Sequence, residues 1–412
     1  MYFGFVILGI FHLALAAFHE LFSPNNLYTV HLVSLFFLFY YFRKDKYVLP
    51  LIIFSSTYTL YLFPYFYFDL PYHYLVKTQT PDLTIRALAY QYTFYYLFFA
   101  LRASNRSVEY HFPQLKLSKY AFFALVSFLL IMLVVNILKA PPNIGASYDG
   151  KNNSTVWIEY SFIFLVLLCS TTLSKKYRFV VTFVLLSYLI YPFLYSRRLQ
   201  MIMVFLLIYY RYYGPKIRVI TVYISAIAVF IILRIFESLR MGVAPTLLSL
   251  LITTNADGVT GSNQGGVMVS NTIYLYLVDI GVFDWTFRLK SLLGNLITGF
   301  VPGNFNFSET YINLRALEHM PLPGNGGYTA VYLYLWLGAG GVICVSLFLG
   351  YLTFSKRPVW VLRSLPLAIL MTFPRLHSYN FLATIKVITG LLVLYMILNT
   401  VRRKVGGDVN KN

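Results

Sequence analysis

The chain has 412 residues, 58% of them hydrophobic and 11% charged, with a mean hydropathy of +0.67, whereas a soluble domain carries about a quarter charged residues. That composition excludes an ordinary soluble enzyme and specifies an all-α, polytopic integral membrane protein. The formal charge of +19 fits basic loops on the cytoplasmic side of a membrane better than a patch that neutralises nucleic-acid phosphates, so no nucleic-acid partner is expected.

Taken in chain order, the apolar runs predict about twelve spans, set against the ~20 residues that a membrane-crossing helix needs. They fall near 2–18, 27–42, 47–66, 83–101, 120–138, 157–173, 179–195, 199–213, 219–235, 327–354, 359–374 and 380–400. The first run, MYFGFVILGIFHLALAAF, lacks a basic leader region and a small-residue cleavage site, and reads as a retained span. With the N-terminus cytoplasmic, the segments RKDK, RASNRSVEYHFPQLKLSKY, SKKYR, RYYGPKIR, SKRP and the C-terminal tail all fall inside and hold most of the lysines and arginines, as the positive-inside rule asks. An even number of spans returns the C-terminus to the cytoplasm. Residues 1–412 read as one transmembrane domain. Between spans nine and ten, residues 237–326 form a single external segment of about 90 residues, and loops of that length in compact proteins are usually functional. No internal repeat is visible, which weakens an inverted-repeat transporter.

The stretch YPFLYSRRLQMIMVF places Arg197 and Arg198 between two short spans. Residues 199–213 would make about 22 Å of helix at 1.5 Å per residue, against roughly 30 Å of hydrocarbon. The two arginines therefore belong at or just below the external interface, with Pro192 able to kink the helix and turn them inward. Arginine at that depth must snorkel, pair or line a wet cavity. Two readings follow: contact with phospholipid phosphates, or a site for an anionic ligand. Other external cations join them. Arg234, Glu237 and Arg240 share a helix side, Arg288, Lys290 and Arg315 lie in the long segment, Arg86 opens the fourth span, and Arg375 and His377 fill a short turn between the last two spans. A planar guanidinium suits phosphate oxygens. The residues 308–320 read as a helix capped by Ser308, with Tyr311, Arg315 and Glu318 or His319 on one face. His12, in the first span, reads as a packing residue.

Several chemistries have no support. No Walker lysine motif accompanies the glycines near Gly258–Gly266, so nucleotide cradling is not indicated. No HExxH or Cys/His set offers zinc ligands, no external DxD pair points to a metal-bound sugar donor, and the two cysteines, Cys169 and Cys344, lie in apolar runs. No metal and no cofactor is expected.

An arginine pair of the type YSRRLQ opening a span, one long late external segment and the run LPGNGGYTAVYLYLWLGAGGVI together resemble the Wzy-type O-antigen and oligosaccharide repeat-unit polymerases. In that family an external Gly-containing segment leads into a span that here corresponds to Val331–Gly341, and an arginine is followed by glycine at a spacing that Arg288 with Gly299 and Arg315 with Gly326 match. The resemblance implies a metal-independent glycosyltransferase of a bacterial inner membrane, active at its periplasmic face in lipopolysaccharide or other surface-polysaccharide biosynthesis. Its substrates would be oligosaccharides linked to undecaprenyl diphosphate, and its partners membrane lipid, a chain-length regulator and a flippase. Arg197, Arg198, Arg240, Arg288, Arg315 and Arg375 would bind the diphosphate or glycan, and Glu309, Glu237 or His377 would act as the base. An O-antigen ligase has a similar layout, and a lipid-linked oligosaccharide flippase or transporter is the reading from another class.

Overall fold

The computed structural model describes residues 1–69, 81–105, 118–139, 156–171, 175–195, 198–213, 263–300, 311–322, 326–355, 364–378 and 384–394, with isolated positions between. Among them the chain is helical and has no β-strand. The helices are α1 (Tyr2–Ala17), α2 (Pro24–Phe42), α3 (Leu49–Leu60), α4 (Phe63–Phe68), α5 (Pro81–Ser104), α6 (Lys119–Lys139), α7 (Val156–Cys169), α8 (Lys175–Leu194), α9 (Arg198–Ile208), α10 (Asn263–Asp279), α11 (Trp285–Phe300), α12 (Ile312–Leu317), α13 (Thr329–Phe354), α14 (Leu365–Ser378) and α15 (Thr384–Leu394).

The centre of the bundle is α5. Nearly every residue from Leu83 to Ala103 is buried, and α1, α2, α10 and α13 pack around it. Its composition explains why hydropathy alone undervalues it. Tyr90, Gln91, Tyr92, Thr93, Tyr95 and Tyr96 are all buried, which is tolerable only because protein surrounds them on every side. Helices at the margin show the opposite pattern. Phe3, Ile7 and Ile10 on α1, and Phe179, Phe183, Leu186 and Ile190 on α8, are exposed at helical spacing, a stripe suited to hydrocarbon.

Three stretches are long and apolar enough to cross a membrane: Leu49–Phe68, Lys119–Lys139 and Thr329–Phe354. A count of twelve spans is not supported. Several of the apolar runs fold into shorter helices, including Tyr2–Ala17, Tyr160–Cys169 and Leu199–Tyr212, and most of residues 219–235 lie outside the described residues. Even two of the three long stretches are interrupted. The first divides into α3 and α4, and α13 contains Gly338 at φ 66°, ψ −161°, a conformation that essentially only glycine adopts.

The break in α13 reverses the chain. A Cβ built on Gly341 would lie 2.8 Å from the Leu333 carbonyl oxygen and 2.5 Å from Leu337 Cβ. In an unbroken helix, eight residues separate two positions by about 12 Å along the axis. Residues 329–337 therefore form a short arm and 339–354 a longer return arm. The contacts with α5 agree. Tyr328 joins His377 beside Tyr95, Tyr334 stacks on Tyr90, and Gly350 and Phe354 meet Phe98. The short arm starts at mid-bundle, rises toward Arg86, turns, and descends along α5. The turn itself is exposed at Leu337, Ala339 and Gly340.

α14 and α15 form a second half-depth pair. Phe373 packs on Phe98, His377 on Tyr95, and the Thr372 and Thr384 hydroxyls bond at 2.9 Å. α14 thus rises to mid-bundle and α15 returns beside it.

Candidate functional site

The two ends of α5 are chemically distinct. At its C-terminal end Arg102 Nε donates to Asp45 Oδ2 at 2.5 Å, and Asp45 Oδ1 accepts the Tyr47 and Val48 backbone N–H groups at the start of α3. The Tyr209 and Tyr210 hydroxyls donate to the Lys46 and Tyr47 carbonyls, and Arg211 to that of Thr171. Tyr177 packs on Phe122. This end gathers the starts or ends of the very segments that the charge pattern assigns to one side of the membrane: 43–46, 102–120, 174–178 and 211–218.

At the opposite end Arg86 Nη1 bonds both carboxylate oxygens of Asp279, at 2.8 and 2.7 Å, and Nη2 donates to the Tyr334 hydroxyl at 2.9 Å. The Tyr334 ring stacks on Tyr90 with centroids 4.3 Å apart. Arg288, on α11, lies with its guanidinium 3.8 Å from the Trp285 ring centroid. It donates to the Leu335 carbonyl and, at 2.8 Å, to that of Tyr334. These two carbonyls would bond the N–H groups of residues 338 and 339 in an unbroken helix. The turn at Gly338 removes those donors, and buried backbone acceptors need replacements. Arg288 supplies them. Burial lowers its pKa from the ordinary value, but a guanidinium stays charged at any physiological pH.

Between these ends lies a junction of helix termini. The Gly327 N–H donates to the Ser378 carbonyl at 3.1 Å, Tyr328 N–H to Asn271 Oδ1 at 2.7 Å, and the Thr329 hydroxyl to the Leu376 carbonyl. His377 Nε2 bonds the Tyr95 hydroxyl, and its ring packs 4.5 Å from Tyr58 and 5.2 Å from Tyr328. His377 is fully buried. The start of α13 and the end of α14 thus close on each other around an imidazole at mid-bundle. His12 sits elsewhere along α5, bonded to Ser34 at 2.9 Å and stacked on His31, Tyr92 and Tyr96, in keeping with a packing role.

Two further cations stand on the α14–α15 pair. Arg375, in the last turn of α14, and Lys386, on α15, are both half-buried. The Thr372–Thr384 contact fixes their level, since each lies within about one helical turn, or 5 Å, of that contact along the axis. Lys386 lies 5.6 Å from the centre of the Tyr160 ring on α7. Ionisable residues this deep are costly in a membrane protein and mark ligand or ion paths.

The sequence-derived candidates divide accordingly. Arg375 and His377 lie not in an external turn but on a helix that continues to Ser378, and two residues apart on a helix they point to different sides; the apolar run extends further than hydropathy marks because His377 is buried among aromatic rings. Arg288 faces inward and holds backbone carbonyls. Arg315 is exposed and pairs with Glu318 at 2.6 Å, and its helix spans only Ile312–Leu317. Arg198 begins α9. Because α9 leads into Tyr209 and Tyr210, which bond the Lys46 and Tyr47 carbonyls, its first residue, Arg198, belongs to the half of the bundle nearer Arg86. The Arg198 side chain, and Arg197, Glu237, Arg240 and Glu309 entirely, lie outside the described residues. Sequence reasoning missed Lys386, whose signal was a lone cation within an apolar run, and Asn271 and Tyr95, which had none. Among the described residues no group of three or more His, Cys, Asp or Glu side chains is placed to hold a metal. Comparison with family models, curated proteins and solved structures returned no match.

Proposed function

We propose that this protein is a membrane glycosyltransferase that polymerises oligosaccharide repeat units carried on undecaprenyl diphosphate, at the periplasmic face of a bacterial inner membrane. The observation that supports the reading is the pair of half-buried cations, Arg375 on α14 and Lys386 on α15, near the Thr372–Thr384 contact at mid-bundle. A lipid diphosphate descending from the Arg86 end would meet the Arg375 guanidinium and the Lys386 ammonium, and we assign Arg198, whose helix starts in the upper half, to the same site by its sequence position alone.

In the proposed reaction an acceptor hydroxyl oxygen attacks the anomeric carbon of the growing chain. The bond from that carbon to the diphosphate oxygen breaks, the electron pair stays on the diphosphate, and a base takes the hydroxyl proton. Charge grows on the leaving group as the bond lengthens, so preorganised cations stabilise the transition state more than the ground state. Glu237, Glu309 and His377 remain the candidates for the base, and His377 is the one among them that lies in the described residues. The glycine-turned α13, built by the run that carries the resemblance, supports the reading by shaping the upper half of the bundle.

A second reading, a lipid-linked oligosaccharide flippase, is favoured by the depth of Arg375 and Lys386, because a translocation path also needs cations there. One experiment separates them. Deleting the gene and profiling the surface glycan should leave the core bearing a single repeat unit. Loss of all repeats would replace the polymerase with the flippase or a ligase. In the complemented strain, Arg198→Ala and Lys386→Ala should each abolish chains longer than one unit while the protein inserts at wild-type levels. Unchanged ladders would remove those residues from the site.

A further inference from the structure

α11 is amphipathic in the inverted sense. At 100° per residue, Trp285, Leu289, Leu293, Ile297 and Phe300 fall within one 120° sector. These five side chains are exposed, from 41% for Ile297 to 58% for Trp285 and Leu293. The opposite sector carries Arg288, Ser291, Gly294 and Thr298, all buried. That polar face is fastened inward. Arg288 holds the Tyr334 and Leu335 carbonyls, and Ser291 Oγ accepts the Trp336 indole N–H at 3.1 Å. The fold therefore leaves no freedom to rotate the apolar sector into the bundle. Water is a poor neighbour for it. At ~25 cal/mol per Å² of apolar surface, five large exposed side chains on one stripe are costly to hydrate.

We propose that α11, which lies inside the segment that sequence alone assigns to an external loop, is a lipid-contacting helix, with its Trp285–Phe300 stripe set into the headgroup and acyl boundary at the Arg86 end of the bundle. Three features favour lipid as the occupant. The stripe is accompanied by Tyr276 on the preceding helix, Ile280 just after that helix and Leu337 beside the Gly338 turn, all exposed. Trp285 combines an exposed ring with a guanidinium against its face, the character of an interfacial anchor. The helix exposes Lys290 and carries no acid, which suits anionic headgroups. A mean-hydropathy criterion passes over this helix because the buried half is polar. The inference does not depend on the reaction proposed above.

The test uses the full chain in nanodiscs of mixed zwitterionic and anionic phospholipid. Cys344, which is exposed, is replaced by Ala, and spin labels are placed singly at Leu293→Cys, Ile297→Cys and, as an aqueous control, His319→Cys. Labels at 293 and 297 should collide more often with oxygen than with a water-soluble nickel chelate, and the order should reverse at 319. Nickel collisions exceeding oxygen at 293 and 297 would overturn the proposal by placing the stripe in water. Low collision rates with both, together with broadening between labels on neighbouring copies, would overturn it by placing a second copy of the chain there. Should a labelled variant fold poorly, unlabelled protein gives the same decision. Brominated phospholipids should quench the wild type more than Trp285→Phe, and equal quenching would reject lipid contact.

Discussion

Each end of α5 is tied by an arginine–aspartate pair, yet the two pairs are different devices. Arg102 and Asp45 have side chains only 4% and 5% exposed, whereas Arg86 and Asp279 are 11% and 40% exposed. Asp45 also accepts two backbone N–H groups, and the Tyr47 ring lies 5.3 Å from the Arg102 guanidinium. At that end a charge pair and the chain path through 43–48 are locked together. At the other end Asp279 closes α10, and its neighbours are a glycine turn, a broken helix and an inverted amphipathic helix. One end fixes the bundle, and the other joins elements that meet at turns and half-length helices. Sites in membrane proteins favour such discontinuous helices, because their ends bring backbone and charged groups to depth.

This contrast can be broken experimentally, beginning with the largest effect. Arg102→Ala leaves Asp45 buried without its cation, which should cost about 3–5 kcal/mol. The expected readout is loss of monodisperse protein in detergent, or a large fall in the unfolding midpoint. A midpoint close to wild type would mean that the Arg102 end is not the fixed one. Next, Gly338→Ala forces a side chain into a glycine-only conformation and should cost about 1–3 kcal/mol. Its thermal midpoint should drop, and the bond from Arg288 to the Tyr334 carbonyl should weaken, seen as faster hydrogen exchange around 334–341. An unaffected alanine variant would argue for a straight α13. Last, Asp279→Asn should cost no more than about 1 kcal/mol because the aspartate is substantially exposed. The wild-type advantage should shrink as salt rises. An effect as large as that of Arg102→Ala would erase the distinction between the two ends.

The legible part of the fold was its class. Hydropathy located α1, α2 and α6 to within a few residues, and the described edges of four of the six basic segments gather at one end, at Asp45–Arg102 and Tyr209–Arg211. The site was legible only in part. Arg375 and His377 were recognisable as polar residues near the end of an apolar run, but their depth was not, because depth depends on where α14 stops against α13. Arg288 looked like a ligand-binding cation from its loop position. Its partners are carbonyls exposed by a turn 50 residues later in the chain, and no local pattern announces that.

The sequence by itself determined that this chain is helical, suited to a membrane, and basic in the segments that gather at one end, because apolar content, run length and charge act residue by residue. Only the tertiary structure decided which apolar runs stay whole and which cations are held by carbonyls rather than by acids. It also decided which face of α11 looks outward. Those outcomes depend on buried donors finding acceptors on distant helices, and a linear pattern carries no record of which groups will meet.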